Sequence, residues 1–325
     1  MDINQLIEKF IKHNCYLEMG AGKIAKQFNS NIDDVIKSKI IAKNKLKYGT
    51  EYNPKDVAFK SKPILQVTIK KDTNNNAKIL LFDLETSPII SYHWGTRKQF
   101  IQPENIIRDW TILTYAGKFL NEDIMYSGTA KDEEEFDDFN IVSELWGLLD
   151  KCDILVAHNL IGFDRKKLNA RFLFHGMNPP SPYKLVDTLQ IAKTNFGTTY
   201  HKLDYLSKFI GSSGKMEHFG FDLWKKCMDG DEASWETMLA YNKKDVIELE
   251  KIYLELRPWD NRSPSISIFQ EDPSMCCTKC GSKNIVYKKD VYTNTREFKL
   301  YQCNDCNGWS RSRSSEGKIK ALMTQ

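Results

Sequence analysis

The stretch KILLFDLETSP, residues 78–88, constrains the fold more than any other. Ile79, Leu80, Leu81 and Phe82 form an apolar run suited to a strand buried on both faces. Two acids, Asp83 and Glu85, follow where the run ends. Side chains two apart on a strand share a face, so both carboxylates point the same way. Like charges that close are costly to ionise together unless something positive sits between them. A divalent cation is one answer, and solvation at a strand end is the other.

A cation would need acids from further elements, and the chain supplies them in order. In DILVAHNLIGFD, residues 153–164, the apolar Ile154, Leu155 and Val156 lead to His158 and Asn159, and Asp164 follows at a helix start. In YNKKD, residues 241–245, Tyr241 and Asp245 lie four apart in a helical stretch and share one face. That is four acids on three elements, with a phenol beside the last.

The 325 residues allow one large core plus smaller modules. Three segments emerge: 1–48, 78–257 and 276–325, with a connector at 49–77 and a Pro- and Ser-rich linker at 258–275. In the connector, KPILQVTIKK reads as an added strand. The middle segment alternates strand-like and helix-like runs, which predicts an α/β domain. Its first strands are joined by links too short for helical crossovers, so the sheet is expected to be mixed. Asp187-Thr188 reads as a helix cap. Trp94 and Phe163 read as core residues. No apolar run has membrane-spanning length, and no secretory signal opens the chain.

Charge is unevenly spread. Residues 1–48 hold 9 Lys/Arg against 5 Asp/Glu, residues 258–325 hold 11 against 7, and the centre holds 27 against 31. Basic flanks around an acidic centre suit a protein that holds a polyanion. The first flank reads as a small all-α domain. A helix over residues 2–13 precedes GKIAKQFNSNIDDVIKSKIIAKNKLK, which resembles a helix-turn-helix. Lys37, Lys39 and Lys43 on its second helix would dock DNA, or would form the solvated face of a helical bundle.

The last segment holds two Cys-x-x-Cys pairs with 22 residues between them. NIVYKKDVY and REFKLYQ between the pairs read as strands. The pattern resembles a small β zinc ribbon, in which Cys277, Cys280, Cys303 and Cys306 would hold one structural Zn²⁺. Cys276 is left over. Trp309, Arg311 and Arg313 belong to a set of interleaved cations and aromatics that would meet nucleic acid, or would serve only the ribbon's own packing and solvation.

FDLET, HNLIGFD and YNKKD together, in this order, resemble the three motifs of the DEDD exonuclease superfamily, the ribonuclease H-like proofreading type. The Tyr-x-x-x-Asp form of the third motif resembles the DEDDy branch; the sister branch has a histidine where this chain has Ala240. The resemblance covers residues 78–257. It implies a ribonuclease H-like mixed sheet flanked by helices, and 3′→5′ hydrolysis of DNA, single-stranded first of all, that releases 5′-nucleotides. It implies two Mg²⁺ or Mn²⁺ ions held by Asp83, Glu85, Asp164 and Asp245, with Asp83 bridging them. Tyr241 would orient the attacking water, since its ordinary pKa near 10 makes it a poor base. Leu84, Thr86, Asn159 and Phe163 are further candidates for substrate contact; Asn159 has turn closure as its alternative. His158 reads as structural. The whole arrangement resembles bacteriophage nucleases, which implies the cytoplasm of a bacterial or virus-infected cell. RNA as substrate stays open, as does endonucleolytic cutting. So does a DNA-binding regulator or assembly factor with a vestigial nuclease fold. Protein partners are not legible, and no membrane is expected.

Overall fold

The structure is a computed structural model that describes residues 2–12, 24, 27, 28, 30, 35, 38, 42, 77–95, 97, 100–131, 137–212, 220–270 and 274–315. The chain divides into two units, Met1–Val67 and Thr68–Gln325.

The first unit opens with α1, Ile3–Lys12. Asp2 accepts from the Gln5 amide at 2.9 Å while Gln5 accepts from the Asp2 amide at 3.2 Å, a reciprocal cap that starts the helix. Leu6, Ile7 and Phe10 are buried with Ile24, Val35 and Ala42, a small apolar core. Lys37, Lys39, Lys43 and the strand read in 49–77 lie outside the described residues.

The second unit is built on β1, Ile79–Thr86. A short hairpin follows, β2 (Ile90–Ser91) with β3 (Ile106–Arg108). Next come β4 (Ile112–Phe119), β5 (Tyr126–Thr129), α2 (Phe139–Leu149) and β6 (Ile154–Ala157). Then follow α3 (Asp164–Phe174), β7 (Lys184–Asp187), α4 (Thr188–Asn195), α5 (Leu203–Phe209), α6 (Phe221–Met228) and α7 (Glu232–Leu256). The five-stranded sheet runs β5-β4-β1-β6-β7. β4 pairs antiparallel with β1 and β5, whereas β6 pairs parallel with β1 and β7, so the sheet is mixed as the short links predict.

Strand parity sorts the core into two layers. Leu80, Phe82 and Leu84 face α2 and α3. Ile79 and Leu81 face α4, α5 and α7, where Val246, Leu249 and Ile252 are buried. Asp83 and Glu85 continue the odd series and so emerge on the α7 side.

One buried polar group ties the first layer together. Asp138, fully buried, accepts from the Ile112 amide at 2.8 Å and from Arg171 Nε at 3.0 Å and Nη2 at 2.5 Å. His175 Nε2 lies 2.7 Å from the same carboxylate. The preceding strand, the helix start and α3 are thereby locked together.

Two expectations need correction. Trp94 is fully exposed, as are most of the side chains of Tyr92 and Phe100 in the same hairpin. Two two- and three-residue strands cannot fold an aromatic back onto the sheet. The stretch read as a linker is packed: Arg257–Trp259 and Ile266–Phe269 form tight turns, and Ile266 is buried in the core. The Ile266 amide bonds to the Thr278 carbonyl at 2.9 Å, and Lys279 Nζ donates to the Asp260 carbonyl. The last strands, β8 (Ile285–Tyr292), β9 (Glu297–Cys303) and β10 (Trp309–Arg311), form a separate three-stranded sheet that those contacts attach to the α/β body.

Replacing Asp138 by Ala strands a buried Arg171, 7% exposed, and is expected to cost about 3–5 kcal/mol in urea unfolding. A loss below about 1 kcal/mol, the level of a solvent-exposed pair, contradicts the lock.

Candidate metal centre

Three elements deliver the acids. β1 presents Asp83 and Glu85 at its C-terminal end, opposite Ala116 and Thr114 of β4. α7 crosses that end of the sheet and presents Asp245. Carboxylate oxygens of Asp83, Glu85 and Asp245 all lie within 4.8 Å of one another. Asp164 is the first residue of α3 and is 2% exposed. Burial, and then the negative charge of Asp83, raise its pKa well above the usual carboxylate value; Asp187 adds to the rise. Packed carboxylates beside a buried acid fit a hard cation, which would accept their oxygens.

Supporting residues set these positions. Asn242, fully buried beside Tyr241, donates from Nδ2 to Asp83 Oδ2 at 2.7 Å. It joins α7 to β1 and fixes the position of the Asp83 carboxylate. Sequence reading passed over Asn242, although it stands three residues before Asp245 and so shares its face. Tyr241 is buried one turn before Asp245, its ring edge-on to Trp224 with centroids 6.5 Å apart.

Asp187 is the hub of the α3 entry. It caps α4 by accepting from the Leu189 amide at 3.0 Å and the Gln190 amide at 3.4 Å. It also accepts from the Asn159 and Ile161 amides, both at 3.0 Å, and so fixes the turn leading to Asp164. Asn159 sits in that turn at φ 73°. A Cβ at Gly162 would lie 2.4 Å from Asn159 Oδ1, so a larger residue there would displace the Asn159 side chain. His158 has both ring nitrogens engaged, Nδ1 at 2.9 Å from Thr188 Oγ1 and Nε2 at 2.8 Å from the His201 carbonyl.

Asp83, Asp245, His158 and Asn159 line an open cleft of about 970 Å³. Asn159 thus both closes a turn and faces the cleft. Leu84 is buried on the opposite side of β1, so its side chain packs against the core and is turned away from the cleft. Phe163 packs partly buried against the same core, with Lys167 Nζ 5.7 Å from its ring centroid. Thr86 stays half-buried at the bulge that ends β1.

In the C-terminal sheet, Cys277, Cys280, Cys303 and Cys306 converge. Cys277 Sγ lies 3.6 Å from Cys306 Sγ, and Cys280 Sγ lies 3.7 Å from Cys303 Sγ. These are close to the roughly 3.8 Å edge of a tetrahedron with Zn–S near 2.3 Å. Amides of Lys279 and Gly308 face Cys277 Sγ at 3.3 Å and Cys306 Sγ at 3.4 Å. Hydrogen bonds from Cys280 and Cys306 hold the Cys277 thiol far below its usual range, while the same contact pushes Cys306 up to about 12. Four sulfurs at these separations form a closed set that fits zinc. Cys276 stays outside the cluster. Trp309 and Arg311 are exposed on β10, Arg313 just beyond it, and the Arg311 guanidinium lies 4.2 Å from the Phe298 ring centroid.

Because the folded-state pKa of Asp164 is raised, its ionisation opposes folding once pH exceeds the unfolded value near 3.9. Asp164→Asn should therefore raise the Tm of metal-stripped protein at pH 7.5 by at least about 2 °C, and the gain should vanish below about pH 3.9. An unchanged Tm at pH 7.5 would refute a penalised carboxylate. Purified protein should carry one equivalent of zinc by atomic emission, lost in Cys303→Ser and kept in Cys276→Ser. A zinc-free wild type would remove the thiolate site.

Comparison with known proteins covers part of the chain. Residues 112–257 match the RNase_H superfamily. No curated protein matches the chain. Among solved structures, the chain is similar to the family B DNA polymerase from the hyperthermophilic archaeon Pyrobaculum calidifontis. That similarity has 13% identity and a TM-score of 0.42, and it covers 68% of this chain and 31% of the polymerase. The chain thus spans less than a third of that polymerase's length. With its five-stranded mixed sheet between two helical layers, the α/β body of this chain has the RNase H-like fold.

Proposed function

We propose that this protein is a metal-dependent 3′→5′ exonuclease of the DEDDy type, acting on DNA. The observation that carries the reading is the convergence of Asp83, Glu85 and Asp245 within 4.8 Å at the lip of an open cleft, with Asp164 buried beside Asp83. Acids from one strand end and two helices meet at one point of an RNase H-like sheet.

Bound Mg²⁺ or Mn²⁺ would supply Lewis acidity and an activated water for phosphodiester hydrolysis. Asp83, held by Asn242, would bind the cation together with Glu85 and Asp245, and Asp164 would add a further carboxylate beside Asp83. Tyr241 would orient a water by hydrogen bond. The N-terminal helical unit and the zinc ribbon tether the polymer and raise its local concentration at the centre. A four-thiolate site suits a reducing compartment such as the cytoplasm.

The test is incubation with 5′-labelled single-stranded DNA, matched RNA and duplex DNA, in Mg²⁺, Mn²⁺ or EDTA. A ladder shortening from the 3′ end of DNA is expected, abolished by EDTA and reduced on the order of 10³-fold or more by Asp83→Ala. Selective degradation of RNA would reassign the substrate. Binding without cleavage under every condition would favour a DNA-binding regulator.

A further inference from the structure

The hairpin that follows β1 exposes more apolar surface than a lone chain has reason to show. Trp94 is fully exposed, Phe100 is 84% exposed and Tyr92 is 73% exposed. Ile89, Ile101 and Ile107 are each about half exposed. None of these six belongs to either core layer of the α/β body. The hairpin is nonetheless firmly rooted. The Ser87 amide donates to the Thr111 carbonyl at 2.9 Å, and the Thr111 amide donates to Ser87 Oγ at 2.9 Å. Further out, the Tyr92 amide donates to the Asn105 carbonyl at 2.8 Å. Among the described residues, β2 and β3 pair only with each other, so each keeps an outer edge that no further strand covers. A two-stranded ribbon is marginal by itself in water and gains stability from further strands or a packed face.

We propose that this hairpin is where two copies of the chain pair about a two-fold axis, hairpin against hairpin. The inference stands apart from the nuclease reading. Area supports it. Aromatic side chains bury roughly 150–250 Å² each, so these three, at their exposures, present about 500 Å² before the isoleucines are counted. The largest apolar patch that a monomer leaves open is typically about 300–600 Å². A standard interface buries about 800 Å² per partner, and in homodimers about 65% of it is apolar, again near 500 Å². One hairpin thus supplies the apolar core of such an interface. Charge points to a like partner. Residues 89–109 hold three Lys/Arg against two Asp/Glu. That balance is too even to select a polyanion or a strongly charged protein, and too even for two copies to repel. A two-fold axis can also set the uncovered edges antiparallel, the more stable kind of pairing, and turn two ribbons into one larger sheet.

The experiment is sedimentation equilibrium of the full-length protein, from nanomolar to tens of micromolar, with no nucleic acid present. The wild type should show twice the mass of one chain at the upper end and dissociate on dilution. The Trp94→Ala, Phe100→Ala double variant should raise the dimer Kd at least about 30-fold, the loss expected for one interface hot spot. Leu173→Ala removes a side chain on α3 that is 81% exposed, and should leave the Kd unchanged. Circular dichroism should be the same for all three proteins, because the replaced side chains lie at the surface of a single chain. Iodide quenching reads the same contact independently: quenchable tryptophan fluorescence should rise as the wild type is diluted, and should stay constant in Trp94→Ala. A wild type that keeps the mass of one chain throughout overturns the proposal. So does a dimer that the double variant leaves intact, or one that Leu173→Ala weakens equally. Association that appears only once an oligonucleotide is added would instead assign the aromatics to nucleic acid. Failure of the nuclease reading, seen as no cleavage in Mg²⁺ or Mn²⁺, leaves these masses unchanged.

Discussion

Burial of β1 between two helical layers governs everything else in the α/β body. A strand apolar on both faces cannot lie at an edge, and β1 sits at the centre of the sheet, antiparallel to β4 and parallel to β6. Once the strand is fixed, parity leaves no choice about where its last side chains go. Leu84 joins the α2–α3 core, and Asp83 and Glu85 turn toward α7. The same apolar packing that anchors α7 through Val246, Leu249 and Ile252 brings Asp245 against them. Hydrophobic burial therefore forces together charges that repel each other.

That conflict is resolved locally by polar groups that are themselves buried. Asn242 donates to Asp83, while Asp164 responds to burial and to Asp83 by holding its proton more tightly. Asp187 spends its carboxylate on four backbone amides and so fixes the turn between β6 and α3. The C-terminal sheet repeats the pattern with sulfur, bringing Cys277, Cys280, Cys303 and Cys306 together.

The parts of the molecule are unequally tied. The ribbon is attached to the body through Ile266, Thr278 and Lys279, so its exposed Trp309 and Arg311 keep a set relation to the sheet. A pattern of Pro and Ser reads as a linker because such residues favour extended, hydrated chain. The two tight turns and the burial of Ile266 show how one apolar side chain in such a stretch can anchor it.

The sequence by itself determined the α/β class, the mixed sheet, the four acids with their tyrosine, and the four cysteines. Each of these is written in local periodicity or short spacing, which the backbone translates directly. It did not reveal β7, whose four residues are too few to show a period, nor the exposed aromatic hairpin, where propensity favoured burial. Asp138, Asn242 and the bonds of Asp187 to the Asn159 and Ile161 amides were decided only by tertiary structure. Their roles depend on partners from distant parts of the chain: Asn242 meets Asp83 across 159 positions. No local pattern carries such a pairing, because its energy comes from the low dielectric and the fixed geometry that exist only after the layers have packed.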